Sequence, residues 1–446
     1  FETHLEELVV RLLKRYEAGA APPDPAPPAR SEIVTIESKR WEGSPFPGLR
    51  AFKPEDAPIF FGRDRETDAL VKRVADSRFV AVVGASGSGK SSLVSAGLLP
   101  RLTANAISDE HTGSKDWRVV RFTPGGADHP FAALFEGIIK SFEALRPSPF
   151  ELRRVKTGFV EDMQNDPATI CDTLNAALET ISAPEWAEVL LFIDLFEELF
   201  TLAKPETIAP FARMLTEIAA QPRLRVVITV RHDFVHRAIE IPELADLLNL
   251  GTFHLAAPTA GALAQMVKRP AELAALEFED GLPEQILSDM GSDAGALALM
   301  AYTLDELYKI ADARHDRSLT FADYDALGGV QGAVGKRAEQ TFQALELAEK
   351  ADLLKRVFHE LVEVDERGTA TRQRAPQGRF DEQAAALVKA FTDARLLVTD
   401  EHDVEVAHEA LFRSWERLAE WIAEAQEDLI LLRQVRNAAH DWQTKG

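Results

Sequence analysis

Residues 84–91, Gly84-Ala85-Ser86-Gly87-Ser88-Gly89-Lys90-Ser91, set three glycines and two serines ahead of a lysine and a further hydroxyl. The spacing is G-x-x-x-x-G-K-[ST]. Glycines let consecutive backbone N–H groups turn inward, and no Cβ blocks a close anion. The chemistry is the grip of a triphosphate tail. Lys90 is placed to reach the β- and γ-phosphates, and the Ser91 hydroxyl to ligate Mg²⁺. Gly84, Ser86, Gly87, Ser88 and Gly89 form the cradle, and Ser92 follows in the first helical turn.

Such a site also needs a carboxylate at the end of a nearby strand. The run VLLFID (189–194) is β-prone and ends in Asp194, a second candidate for Mg²⁺. Glu197 and Glu198 follow three and four residues later, and either one is a candidate to polarise the attacking water. Spacing alone does not choose between them, and DLFEELF also reads as the start of an amphipathic helix with both glutamates in solvent. A third run, VVITVRHD (226–233), ends in polar residues. Arg231 stands where it would touch a γ-phosphate. ATP and ADP would then differ by one charge-assisted contact.

These residues need a scaffold that brings strand ends together. FVAVV precedes the glycine loop and SSLVSAGLL follows it, so the loop joins a buried strand to a helix. Further apolar runs, WRVVRF (117–122), EVLLFIDLF (188–196) and LRVVITVR (224–231), alternate with helical stretches, one of which begins at Asp64. This pattern predicts an α/β fold, a parallel sheet with helices on both faces. From 256 to 345 the chain is almost wholly helical in period. Two more helical runs precede RLLVT and VEVAH, which flank the polar turn DEHD as a hairpin. Two helices followed by a hairpin outline a winged helix. The expected divisions are a nucleotide domain at 46–255, a helical domain at 256–345, a winged helix at 346–425, and a helix at 426–446.

Residues 3–17 carry an apolar helical stripe, and five prolines at 22–28 read as an extended linker. The expectation is that 1–17 end an upstream domain, that 18–45 are linker, and that the chain, starting at Phe1, is a piece of a longer protein. Its 446 residues include 50 Lys plus Arg against 72 Asp plus Glu, a net charge of −22. Nucleic acid is therefore an unlikely partner, since phosphate contact needs dense basic residues. Cys171 is the sole cysteine, which fits a reducing, cytoplasmic setting. No apolar run is long enough to span a membrane.

Taken in order, PFPGLRAF, FFGRDRE, VVGASGSGKSSLV, LLFIDLFEELFTL, VVITVRHDF, FEDGL, LTFADYDALGGVQGAV and EVAHEALFRSWERLAEWI resemble the STAND class of P-loop ATPases, and within it the bacterial novel STAND NTPase group. The resemblance spans about residues 45–442. It implies an AAA+-like αβα P-loop nucleotide-binding domain, a helical domain and a winged helix. It also implies a signalling ATPase that couples an N-terminal effector to a C-terminal sensor, reached through the helix at 426–446. ADP holds such proteins closed, and ATP drives self-association into a ring or wheel that clusters effectors. Many bacterial members are linked to antiphage defence and cell death. By the same resemblance Phe61, Gly62 and Arg63 lie near the adenine, Glu197 or Glu198 is the hydrolytic carboxylate, and His408 meets the ADP β-phosphate. Two positions depart from the pattern. Leu195 replaces the usual glutamine, and Ala298 stands where a proline packs on the base.

The rival expectation is a P-loop ATPase that reads nucleic acid through its winged helix. The basic stretch ERGTATRQRAPQGR (366–379) favours it, and the acidic TDEHDVEVAHEAL speaks against it. A third possibility is a nucleotide-binding scaffold without hydrolysis.

Overall fold

The structure, a computed structural model, describes residues 41–431 apart from positions 86, 109–111, 128, 149, 202, 291–295, 347–348, 365–369, 400–402, 408–410, 427 and 430. The expectations for 1–17, for most of the 18–45 linker, and for the helix beyond 431 lie outside the described residues, as do those for Ser86 and His408.

Five parallel strands form the central sheet: β1 (Phe79–Gly84), β2 (Arg118–Phe122), β3 (Val189–Ile193), β4 (Leu224–Arg231) and β5 (Thr252–His254). Their order is β2-β3-β4-β1-β5. The register sets Val83 beside Val230 and Ile193 beside Ile228. β1 and β3 are buried at every position, as parallel strands with both faces covered must be. Side chains alternate between two cores. Phe79, Ala81, Val83, Leu191, Ile193 and Ile228 face one, packed under the helices Pro130–Ser141, Thr169–Thr180 and Pro205–Ala220. Val80, Val82, Leu190, Phe192 and Val227 face the other, against the helix Asp64–Asp76 and the helix after the glycine loop. The four strands predicted from apolar runs are all present. β5 is only three residues long, too short for periodicity to reveal.

From Ala260 to Ala344 the described residues are mainly helical, with one short parallel pair, Glu277–Phe278 beside Ser318–Leu319. The main helices are Ala260–Leu273, Leu282–Asp289, Ala296–Ala313 and Gly329–Ala344. The C-terminal module follows with helices Lys350–Leu361 and Glu382–Asp393 and the hairpin Leu397–Thr399 with Asp403–Val406, in which Leu397 pairs with Val406. This is the helix–helix–hairpin outline read from the sequence. A second hairpin, Val362–Val364 with Ala370–Arg372, was not legible there. One apolar core runs unbroken through the helical region and the C-terminal module. Trp415 anchors it, with ring centroids 5.8, 6.1 and 5.4 Å from those of Phe342, Phe358 and Phe391. Among the described residues no helix is long and apolar enough to cross a membrane.

The sheet order explains the site. β3, β4 and β1 are neighbours, so their carboxyl ends deliver Asp194, Arg231 and the glycine loop to one edge. Ligands of open α/β sheets bind at that edge.

Candidate functional site

Gly87 and Gly89 adopt φ of 71° and 90°, a left-handed backbone that side chains resist, and this curls the loop. The helix begins at Lys90. Lys90 is buried and its Nζ crosses the loop to donate to the carbonyls of Gly84 and Ala85, both at 2.9 Å. Burial pulls its pKa below the usual lysine value. Ser88 Oγ is buried with no hydrogen-bond partner among the described residues. Gly87 to Ser92 line a cavity of about 1170 Å³ counting its open mouth, whereas Gly84 lies behind the loop at the end of β1. Ser92 Oγ accepts the Phe52 N–H at 3.2 Å, tying the loop's helix to the segment before it.

Asp194 is the hub of the carboxylate side. Its Oδ1 accepts from Ser91 Oγ and from Thr229 Oγ1, each at 2.6 Å, and its Oδ2 accepts from Arg121 at 3.1 Å. Thr229, fully buried on β4, also accepts the Leu195 N–H at 3.0 Å and so fixes the turn after β3. Leu195 takes φ of 52° in that turn and stands over the cavity.

The two glutamates part company. Glu197 is buried, lines the cavity and accepts the Arg231 N–H at 3.3 Å. Burial holds its carboxyl above the ordinary carboxylate range. Glu198 instead turns to the loop after β2, where it accepts from the Gly125 N–H at 2.9 Å and from the Thr123 hydroxyl. Arg231 also lines the cavity, but its guanidinium is forked on Asp233 (3.2 and 2.6 Å) and donates to the Thr399 carbonyl of the C-terminal hairpin at 3.1 Å.

The opposite wall comes from residues given no individual role above. The strap Pro45–Phe52, the Met266 and Pro270 side chains and the helix that starts at Ala296 enclose an apolar space. Phe61 and Ala298 line it. Gly62, at φ of 76°, packs on the helix Ala260–Leu273 so closely that a Cβ would come within 2.4 Å of the Ala262 carbonyl. Arg63 touches the cavity, yet its buried guanidinium braces the back of the loop, donating to Ser88 O (3.2 Å), Ala256 O (3.0 Å) and Glu66 (2.9 Å). The sequence reading gave no individual role to the strap, Arg121, Thr229 or Arg395. The proline-rich spelling of the strap was visible, but its role depends on folding back over a helix 250 residues away. Ser44 Oγ donates to Asp305 at 2.7 Å in that contact.

The donor set fits Mg²⁺. Ser91 Oγ and Asp194 Oδ1 are hard oxygens held together, and Mg²⁺ in such sites takes one or two protein ligands, with phosphates and water supplying the rest. Among the described residues no cluster of three or more His, Cys, Asp or Glu could hold a metal by itself. The partnerless Ser88 hydroxyl and the inward lysine fit a phosphate.

A parallel αβα sheet, a G-x-x-x-x-G-K-S loop at its carboxyl edge and an adjoining strand-end aspartate define a P-loop nucleoside triphosphatase. The chain belongs to the novel STAND NTPase 1 family, whose model matches residues 45–446. No curated protein matches it in sequence. Among solved structures it is similar to the ORC1 protein of Aeropyrum pernix in complex with DNA (14% identity, TM-score 0.46, 85% of this chain and 96% of that one). It is also similar to the ORC2 protein of the same organism (14%, 0.44, 82% and 95%) and to Cdc6p of Pyrobaculum aerophilum (14%, 0.41, 82% and 94%).

Proposed function

We propose that this NTPase is an ATP/ADP-operated switch of bacterial signalling, cytoplasmic, in antiphage defence or cell death. Nucleotide exchange alters how the C-terminal module docks, and so couples a C-terminal sensor to an N-terminal effector by self-association into a ring or wheel. The observation that carries this reading is the reach of Arg231. The residue proposed to sense the γ-phosphate is bonded to the Thr399 carbonyl of the module that would move.

In this reading Gly84–Ser92, Ser86 included, hold the phosphates, with Lys90 on the terminal pair. Ser91 and Asp194 hold Mg²⁺, which neutralises charge on the phosphate oxygens. The adenine lies in the apolar space near Phe61, Gly62 and the strap. Glu197 takes a proton from water as its oxygen bonds to the γ-phosphorus, the β–γ bridging bond breaks, and ADP and phosphate leave. His408 keeps its proposed contact with the ADP β-phosphate.

The nucleic-acid reading is not better supported. Arg374 and Arg379, from the basic stretch that favoured it, are paired with Glu405 (2.9 Å) and Glu360 (2.6 Å). The decisive experiment compares nucleotide binding and sedimentation of the wild type and Lys90→Ala. The wild type is expected to bind ADP and ATP and to sediment differently with each. Lys90→Ala is expected to bind neither. Equal ATP affinity in calorimetry would refute the site, and identical sedimentation of the full-length wild type with both nucleotides would refute the switch.

A further inference from the structure

The cavity is lined by five cationic side chains: Arg50, Arg63, Lys90, Arg231 and Arg395. Four are already engaged. Arg50 pairs with Asp56, Arg63 with two carbonyls and Glu66, Lys90 with two carbonyls, and Arg231 with Asp233 and Thr399. Arg395 differs. Among the described residues its guanidinium makes no hydrogen bond and no ion pair, although it carries five N–H donors.

Arg395 is also held in place by its backbone. It takes φ of 60° in the turn after the helix Glu382–Asp393, its N–H donates to the Thr392 carbonyl at 2.9 Å, and its neighbours Ala394 and Leu396 are both buried. A left-handed arginine is costly, and a surface turn would ordinarily use glycine there. The turn puts a long, exposed cation of the C-terminal module on the wall of the cavity that Gly87 to Ser92 also line. Protein crowds it enough for desolvation to lower its pKa, while the charge of Asp194 acts in the opposite sense.

We infer that Arg395 is a ligand for the distal phosphates of the bound nucleotide, approaching from the C-terminal module while Lys90 approaches from the loop. The inference rests on the nucleotide reading above and adds a residue to it. An unpaired guanidinium fork over a phosphate cradle matches phosphate oxygens two at a time. By linkage, whatever Arg395 adds to ADP affinity it adds equally to docking of the module when ADP is bound. Nucleotide occupancy would then hold the hairpin against the sheet, and loss of nucleotide would release it.

The test uses the full chain, with ADP and adenosine as probes in calorimetry and with Arg395→Gln, Arg395→Lys and Lys90→Ala as variants. Arg395→Gln should bind ADP about 10- to 100-fold more weakly, the scale of a lost charge-assisted hydrogen bond, with adenosine binding unchanged. Arg395→Lys, which keeps the charge and loses the fork, should fall between, and it serves alone if the glutamine variant does not fold. ADP affinity of the wild type should also fall more steeply with salt than that of Arg395→Gln. ADP affinity within twofold of wild type in both variants overturns the inference. So does a parallel loss of adenosine and ADP, which would mark a purely structural role. If instead the wild type fails to bind ADP, or Lys90→Ala binds it normally, the nucleotide reading itself falls and takes this inference with it.

Discussion

Glu197 and Glu198 show how one residue's difference in position becomes a difference in chemistry. Glu197 faces the cavity and Glu198 faces the loop after β2. Glu197→Gln is expected to slow ATP hydrolysis about 100-fold or more, the range for loss of a general base, while Glu198→Gln changes it by less than about threefold. A base must be deprotonated to act, and burial raises the pKa of Glu197. Hydrolysis should therefore be lost as pH falls through an apparent pKa above the ordinary carboxylate value, and it should recover above it. The pH–rate profile of the wild type at saturating ATP checks this. The same acid limb persisting in whatever activity Glu197→Gln retains would assign the titration to another group.

At the scale of elements, the helix Gly329–Ala344 meets the C-terminal module through Glu339. Its carboxylate accepts from Arg417 (2.8 and 3.1 Å) and from the Trp415 indole N–H (2.7 Å). The Arg417 hydrogen bonds, helped by Trp415, lower its pKa from 4.5 to about 2. A lowered folded-state pKa gives stability that is present above the unfolded value and lost as pH falls from about 4.5 toward about 2. The pair is half-exposed, so screening limits the charge contribution to about 1 kcal/mol. Glu339→Ala should cost more, about 2 kcal/mol at neutral pH, because the buried Trp415 N–H loses its acceptor. Glu339→Gln, which can still accept, should cost less. Urea midpoints at pH 7 and pH 3 check this, and equal midpoints for wild type and Glu339→Ala at pH 7 would dismiss the joint. Elements of this kind were largely legible beforehand. The four longer strands announced themselves as apolar runs, and the hairpin at 397–406 as two β-prone runs around a polar turn. β5 did not, because its three residues carry too few positions for a period, and the hairpin at 362–372 did not, because Val362–Val364 runs straight on from the helix Lys350–Leu361 and Ala370–Arg372 is not apolar.

For the molecule as a whole, the shared core of the helical region and the C-terminal module is closed where Gly335 meets Ser414. A Cβ on Gly335 would lie 1.9 Å from the Ser414 carbonyl oxygen. Neither backbone can yield without parting the helix from the module, so Gly335→Ala should destabilise by about 3 kcal/mol, as overpacking of a filled interior does. Thermal unfolding with and without ADP measures the cost. An unchanged midpoint would mean that this contact does not hold the two parts together.

The sequence by itself determined the phosphate loop, the α/β class, the strand-end aspartate and the order of nucleotide domain, helical region and C-terminal hairpin. Each is written in local terms: glycine spacing, apolar period or a polar turn within a few residues. Tertiary structure alone decided which glutamate enters the cavity, that Arg63 braces the loop from behind, that the strap at 45–52 forms a wall, that Thr229 holds Asp194, and that Arg395 lines the same cavity. Those facts depend on contacts between residues tens to hundreds of positions apart. Such contacts follow from the path of the chain through space, and a local pattern holds no record of the distant partner it will meet.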